Sequence, residues 1–403
     1  MSENKQSMAI TNAAVVRPDS VIEGAAVGIE GGVIKEVAES GALSFDYDRQ
    51  IDARGAYVMP GVIDLHNDSL EVEVNPRPET NLPVEFALAN LERRLLFSGV
   101  TTEFHAIAFM DNERSRRTLG GAIKKAELLV EYVRSGAQLI DNQILHRLDV
   151  WSPASLDAIF ESLERMPVRY VSINDHTPGQ GQYRDLSAFK ERMTAWAERR
   201  GGNPALDVDQ RMQERAADTE TIPTVYRRIS DEMDRVPFFI SSHDDDSPEK
   251  VDVLHSLGAS VTEFPVTVDT AQRARDLGMS IIAGAPNIVR GGSASGNQSA
   301  AELFSLGLAD VIVADYHAPS MLPAAFRLVD DGIVDLPGAV RALTLNAAKA
   351  VGIPNLGAIE PGYRADLIAV RRDGREWPVV ECVIVNGVER LRLQAPLRRE
   401  VLA

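Results

Sequence analysis

One cysteine among 403 residues leaves Cys382 with nothing to pair with. An intrachain disulfide and a Cys-rich zinc site are both excluded, and a reducing, cytoplasmic compartment is the expectation. Positive charge is also short: 42 Lys and Arg stand against 59 Asp and Glu, a formal net charge of −17. Nucleic acid is not an expected partner, because neutralising phosphates needs clustered cations. No stretch approaches the roughly 20 apolar residues of a spanning helix, so no membrane partner is expected either. The opening MSENKQSMAITNAAVV lacks a basic segment followed by a long apolar run and does not read as a secretory signal. No GxGxxG follows an early strand, which weighs against an open dinucleotide-binding sheet.

What the chain does have is a 44% hydrophobic fraction, enough for a large core. Apolar runs alternate with helical patterns from VIDLH onward, the mark of parallel βαβ units. Eight candidate strands can be read: VIDLH, VTTEFHAI, AQLIDNQILH, RYVSIND, FFISSH, ASVTEF, SIIAGA and ADVIVAD. Segments such as VEFALANLERRLLFSG carry helical periodicity and stop at Gly. A (β/α)8 TIM barrel over residues 58–350 is the leading topology, with a long polar helical stretch from Leu186 to Arg235 outside it. Residues 1–57 and 351–403 read instead as short strands. Hairpin turns are expected at Glu30-Gly31-Gly32 and Asn386-Gly387, and one small β-sandwich would be assembled from both chain ends.

Barrel enzymes place their chemistry at the C-terminal ends of the strands. Those positions hold His66 and Asp68, Glu103 and His105, His146 and Asp149, Asn174-Asp175-His176, His243 with Asp244 to Asp246, Glu263, and Asp315 with His317. Six of the seven histidines fall there, and only His255 lies inside a helical pattern. A lone histidine is more often a hydrogen-bonded core residue than a ligand; the joint pattern points to a metal. In His66-Asn67-Asp68 the outer two residues share a side of a strand and could grip one ion. Imidazole with carboxylate suits a divalent transition metal, zinc first, with manganese or iron open. A second ion would need a bridge. No lysine lies at a strand end, so Asp149 or Glu103 would have to serve. Asp315, after an apolar strand, is placed to bind metal and to take a proton from an attacking water. The loop GAPNIVRGGSASGN offers a backbone anion site at Gly291, Gly292, Ser293 and Asn297, with Arg290 as a phosphate donor. DHTPGQGQYRD adds Gln180, Gln182 and Arg184.

The run MPGVIDLHNDSLE resembles the first-strand signature of the amidohydrolase superfamily, as do SGVTTEF and NAAKAVGI…LGAIEPGYRADLIAV further on. HNDSLE, DHTPGQGQYRD, SSHDDDSPEKV, EFPVT, GAPNIVRGGSASGNQSA and ADYHAPSML resemble, in that order, the phosphonate-metabolism diphosphatase family of the carbon–phosphorus lyase pathway. The resemblance implies release of pyrophosphate from α-D-ribose 1-methylphosphonate 5-triphosphate. It also implies metal ligation by His66, Asp68, His176, His243 and Asp315, with Asp149 as the bridge. This chain departs from the family's pattern in having Asp149 for Glu, Ala294 for His and His317 for an apolar residue. The strand count also puts His176 and His243 one strand earlier than the superfamily's usual pair. The expected partner is a small phosphorylated substrate, with a homo-oligomer left open. The competing expectations are a metal-dependent hydrolase of C–N bonds and a barrel without catalytic activity.

Overall fold

The computed structural model describes residues 7–77, 80–111, 117–175, 177, 181, 186–187, 191, 212–292, 298–372 and 377–393. The chain opens with β1 (Met8–Val16), β2 (Val21–Glu30), β3 (Val33–Ala38), β4 (Arg49–Asp52) and β5 (Tyr57–Pro60). It closes with three further strands, Leu367–Arg371, Val379–Val385 and Val388–Arg392. All eight join one sheet, in which Leu367–Arg371 pairs antiparallel with β5 and so stitches the two chain ends together. Both expected hairpin turns are present. Gly31 and Gly32 have φ of 62° and 89°, and Asn386 and Gly387 have 51° and 73°, the positive pair that a tight hairpin turn needs. A Cβ on Gly387 would come within 2.7 Å of Gly32 Cα, so the two turns touch and Gly387 does not tolerate a side chain at the contact. The expected sandwich is thus a single hydrogen-bonded sheet folded about its own core, with Ile10, Val27, Ile29, Val58, Leu367 and Ile384 inside.

All eight expected barrel strands form: β6 (Val62–Asn67), β7 (Val100–Phe109), β8 (Asp141–Asp149), β9 (Tyr170–Asn174), β10 (Phe239–His243), β11 (Ala259–Glu263), β12 (Ser280–Gly284) and β13 (Val311–Val313). They pair in parallel in chain order. The ring is closed by a bridge between Asn67 and Asp315, with Asp68 N donating to Asp315 O at 2.7 Å and Asp315 N to His66 O at 2.9 Å. First and last strands therefore meet where the candidate ligands sit. Among the described residues no further barrel strand appears, and His243 ends the fifth barrel strand.

Side chains alternate between two cores. Ile63, Leu65, Phe104, Leu145, Val261, Ile282 and Val313 fill the barrel interior, whereas Ile107, Phe109, Ile144, Leu148, Val171 and Ile173 face the helical layer. Helix Leu345–Ala350 covers the N-terminal end of the barrel with Ala347, Ala348 and Ala350, and Asn346 Nδ2 ties it to Asp310 O at 2.9 Å. Of the outer helices, Leu119–Ser135 starts on Thr118, whose side chain accepts from Gly121 N, and stops at Gly136 in the left-handed region. Within the expected helical stretch 186–235, helix Thr221–Arg235 packs Val225 and Ile229 into the outer core; most of residues 188–211 lies outside the described residues.

Candidate metal centre

The first strand reaches the site by breaking its own alternation. Ile63 and Leu65 point inward, so His66 should point out. Two residues, Leu65 and His66, lie between Asp64 and Asn67 where β7 has only Phe104 between the paired Glu103 and His105, which is a β-bulge. The bulge turns His66 inward and leaves Asn67 beside Asp64 and Glu103 on the outer side. His66 Nδ1 lies 2.8 Å from Glu263 Oε2, and His66 Nε2 lies 3.9 Å from Asp68 Oδ1. The rings of His66 and His243 are 5.4 Å apart, and the edge of Phe264 meets both at 5.2 and 5.3 Å.

Ligand-type atoms of His66, His243 and Glu263 lie within 4.8 Å of one another, and so do those of His66, Asp68 and Asp315. His66, Asp68, His243 and Asp315 form the floor of a cavity of about 320 Å³ whose wall includes Arg147, Asp244 and Tyr316, with Arg290 at its rim. Asp244, Phe264 and Asp315 hold φ of 52°, 56° and 58°. A left-handed non-glycine backbone costs on the order of 1–3 kcal/mol, and strain of this kind persists where the surroundings demand it. All three residues follow a barrel strand and line this one cavity.

Electrostatics separate the carboxylates. Burial opposes charge on Asp68, but the Arg147 guanidinium, with His66 and Arg117, outweighs it and holds the carboxyl at about 2. Glu263 is likewise held at about 2 by His66 and His243 against its burial. Asp315 is pushed up to about 6 by burial, with no hydrogen bond among the described residues to offset it. A mostly buried carboxyl without a donor, beside two imidazoles and a second carboxylate, is what a cation would neutralise. The donors that line the cavity, two imidazoles and two carboxylates, are therefore of the kind that suits a divalent metal.

Other expectations resolve differently. Asp149 ends β8 on the inner side, with Oδ1 accepting from Trp151 N at 2.9 Å, and it joins neither cluster of ligand atoms among the described residues. Glu103 faces the outer side against Asp64 and is not a bridge. Burial raises both carboxyls, Asp64 to about 7, and the neighbouring Asp64 raises Glu103 further, whereas the hydrogen bond with Glu103 lowers Asp64. His105 and His146 also face outward: His105 Nε2 meets Asn142 Oδ1 at 2.8 Å, and His146 lies between Tyr170 O and Ser162 Oγ. They are core histidines. His317 is exposed on the outer turn, and Tyr316 takes the cavity wall in its place. Gly291 N and Gly292 N donate to Ile288 O and Asn287 O, closing helix Ala285–Arg290, so their N–H groups form no anion site. His176, Gln180, Gln182, Arg184, Ser293, Ala294 and Asn297 lie outside the described residues.

Arg147 is the residue that reading by motif passes over. It is buried, donates to Asp68 Oδ1 at 2.8 Å and to Asn174 Oδ1 at 3.1 Å, and its Nε has no partner among the described residues. The signal was parity: Arg147 lies two residues from both Leu145 and Asp149, on the inner face, with His146 on the other.

Comparison with known proteins agrees with this architecture. The family model described as Amidohydrolase family matches residues 243–389. The chain is 32% identical over 372 residues to the alpha-D-ribose 1-methylphosphonate 5-triphosphate diphosphatase of Escherichia coli (strain K12), covering 91% of this chain and 95% of that one. In fold it is similar to N-acetylglucosamine-6-phosphate deacetylase from Pasteurella multocida, with TM-score 0.64 and 14% identity over 95% of this chain and 99% of that one. A dihydropyrimidinase from Brevibacillus agri NCHU1002 gives TM-score 0.63 and 14% identity over 96% and 95%. Identity at this level, sustained along nine-tenths of both chains, makes the protein a member of the amidohydrolase family.

Proposed function

We propose that the protein is a metal-dependent diphosphatase that releases pyrophosphate from α-D-ribose 1-methylphosphonate 5-triphosphate. The observation that carries this reading is the pairing of an imidazole–carboxylate floor with two arginines, Arg147 and Arg290, on one cavity of an otherwise acidic protein. Arginine's planar fork matches phosphoryl oxygens, and a neutral cyclic amide, with carbonyl acceptors alone, brings no negative charge to match two such cations. The relative from Escherichia coli carries that diphosphatase activity in its name, which supports the same substrate.

A divalent cation, zinc first, supplies Lewis acidity at the phosphoryl oxygens when bound. His66, Asp68, His243 and Asp315 would hold it, with Asp149 and His176 proposed to complete the set. Asp315 takes the proton of the attacking water, since its carboxyl has no hydrogen-bond donor committed to it among the described residues. Arg290 at the rim binds the outgoing pyrophosphate, and buried Arg147 meets the phosphoryl group nearest the floor. Phe264 keeps one side of the imidazole pair dry.

A substrate panel is the direct test. The ribosyl triphosphate, nucleoside triphosphates and cyclic amides are incubated with metal-loaded protein, and pyrophosphate and ammonia are measured. Pyrophosphate from the ribosyl triphosphate alone is expected. Turnover confined to the amides would move the chemistry to C–N bonds.

A further inference from the structure

His66 belongs to both clusters of ligand-type atoms, one through each ring nitrogen. A neutral imidazole has one lone pair to give, so it serves one of them. Which one depends on where its proton sits, and the surroundings of Glu263 decide that.

Glu263 is fully buried at the end of β11. Its Oε2 receives His66 Nδ1 at 2.8 Å and the Ser172 hydroxyl at 3.1 Å. Its Oε1 receives the Tyr170 hydroxyl at 3.1 Å and the Ser241 hydroxyl at 2.5 Å. Two oxygens with about four lone-pair sites are thereby filled by four donors. The three hydroxyls come from β9 and β10, the neighbouring strands on one side, all pointing into the barrel, so the carboxylate is fixed from below. His243 Nε2 stands 4.0 Å away, beyond hydrogen-bond reach, and its own Nδ1 is 3.0 Å from Asp244. Ser172 is held in turn by Asn174, whose carbonyl oxygen accepts from Arg147. To ligate a cation, Glu263 would have to release one of these donors inside a dry core.

We infer that Glu263 is a positioning residue and not a metal ligand: it binds the proton on His66 Nδ1 and so aims the Nε2 lone pair at the Asp68–Asp315 side. Carboxylates behind metal-bound histidines fix the tautomer and ring orientation, and their loss typically weakens metal affinity 10–100-fold. The inference rests on the metal-centre reading above and assigns the barrel's sixth strand a supporting role in it. The His243–Asp244 contact has the same form on the fifth strand.

The test separates the two readings. Metal-free protein labelled with 15N-histidine reports each ring's tautomer through two-bond couplings, with the His66 signals assigned from a His66→Gln variant. Nδ1–H on His66 is expected; Nε2–H overturns the inference. Cobalt(II) titration of wild type and Glu263→Gln is then followed by visible absorption. A 10–100-fold weaker affinity with the same band positions and intensities at saturation is expected. A changed spectrum makes Glu263 a ligand, and an unchanged affinity removes it from any role; either overturns the inference. If Glu263→Gln does not fold, Tyr170→Phe with Ser241→Ala removes two of its donors and carries the same comparison. Wild-type protein that takes up no cobalt overturns the metal-centre reading instead, while the tautomer, read without metal, still judges Glu263.

Discussion

His243 and Arg290 line the same cavity and answer to different physics. His243 is buried and offers a ring nitrogen to the floor, whereas Arg290 is exposed at the end of a short helix, where its charge faces solvent and ligand. On the proposed ligand set, His243→Ala is expected to retain only a small fraction of the wild-type metal by elemental analysis. Arg290→Ala is expected to keep full metal content while KM for the ribosyl triphosphate rises roughly tenfold or more, the loss of one charge-assisted contact of about 1.5–3 kcal/mol. An unchanged KM would take Arg290 out of substrate binding. Equal metal in His243→Ala and wild type would take His243 out of the ligand set. Both residues were legible in the sequence, because each follows a clear apolar strand. Arg147 was not, since its neighbour His146 carried the more conspicuous chemistry, and only the inward parity of β8 tells the two apart.

At the level of strands, the outward-facing histidines become a liability in acid. Burial lowers both His105 and His146 to about 4, with the Asn142 contact and the Tyr170 carbonyl only partly offsetting it. Both are therefore neutral in the fold, while the unfolded chain protonates them near 6.5. The stability they confer is fully present above about pH 6.5 and is lost as pH falls from there toward 4. Each tenfold change in proton affinity is worth about 1.4 kcal/mol, so the pair costs several kcal/mol at the acid end. Urea midpoints at pH 7 and pH 5 should show the decline, and His146→Gln should flatten its share of it. A variant with the wild-type slope would mean that His146 is not the group responsible. The eight strands themselves were legible because each is a local apolar run bounded by turn residues. Their faces were less so: the bulge at Asp64–Asn67 resets the two-residue period, and a period read along one strand carries no mark of where its partner skips a residue.

Across the whole molecule, one guanidinium ties the barrel to the terminal sheet. Arg364 donates to Asp141 Oδ2 at 2.7 Å and Thr102 Oγ1 at 2.9 Å on two barrel strands, and to Asp366 Oδ2 at 2.6 Å. Asp366 also accepts from Asn386 N at the far hairpin and is almost completely buried. Removing the cation strands that carboxylate, so Arg364→Ala should cost about 3 kcal/mol in urea unfolding. Adding Asp366→Asn should restore part of the loss. A single-variant cost below about 0.5 kcal/mol would mean that the two units hold together without this ion pair.

The amino-acid sequence by itself determined the number and order of the barrel strands, both hairpin turns and the kinds of side chain available for a metal, because each follows from local periodicity and turn chemistry. Tertiary structure decided which of those side chains meet. Closing the barrel joins residues about 250 positions apart, Asp64 with Ala314 among them, and selects an inner face for every strand. That selection sends His66 to Glu263, gives Arg147 to Asp68, and leaves His105 and His146 in the core, since only a closed ring distinguishes inside from outside.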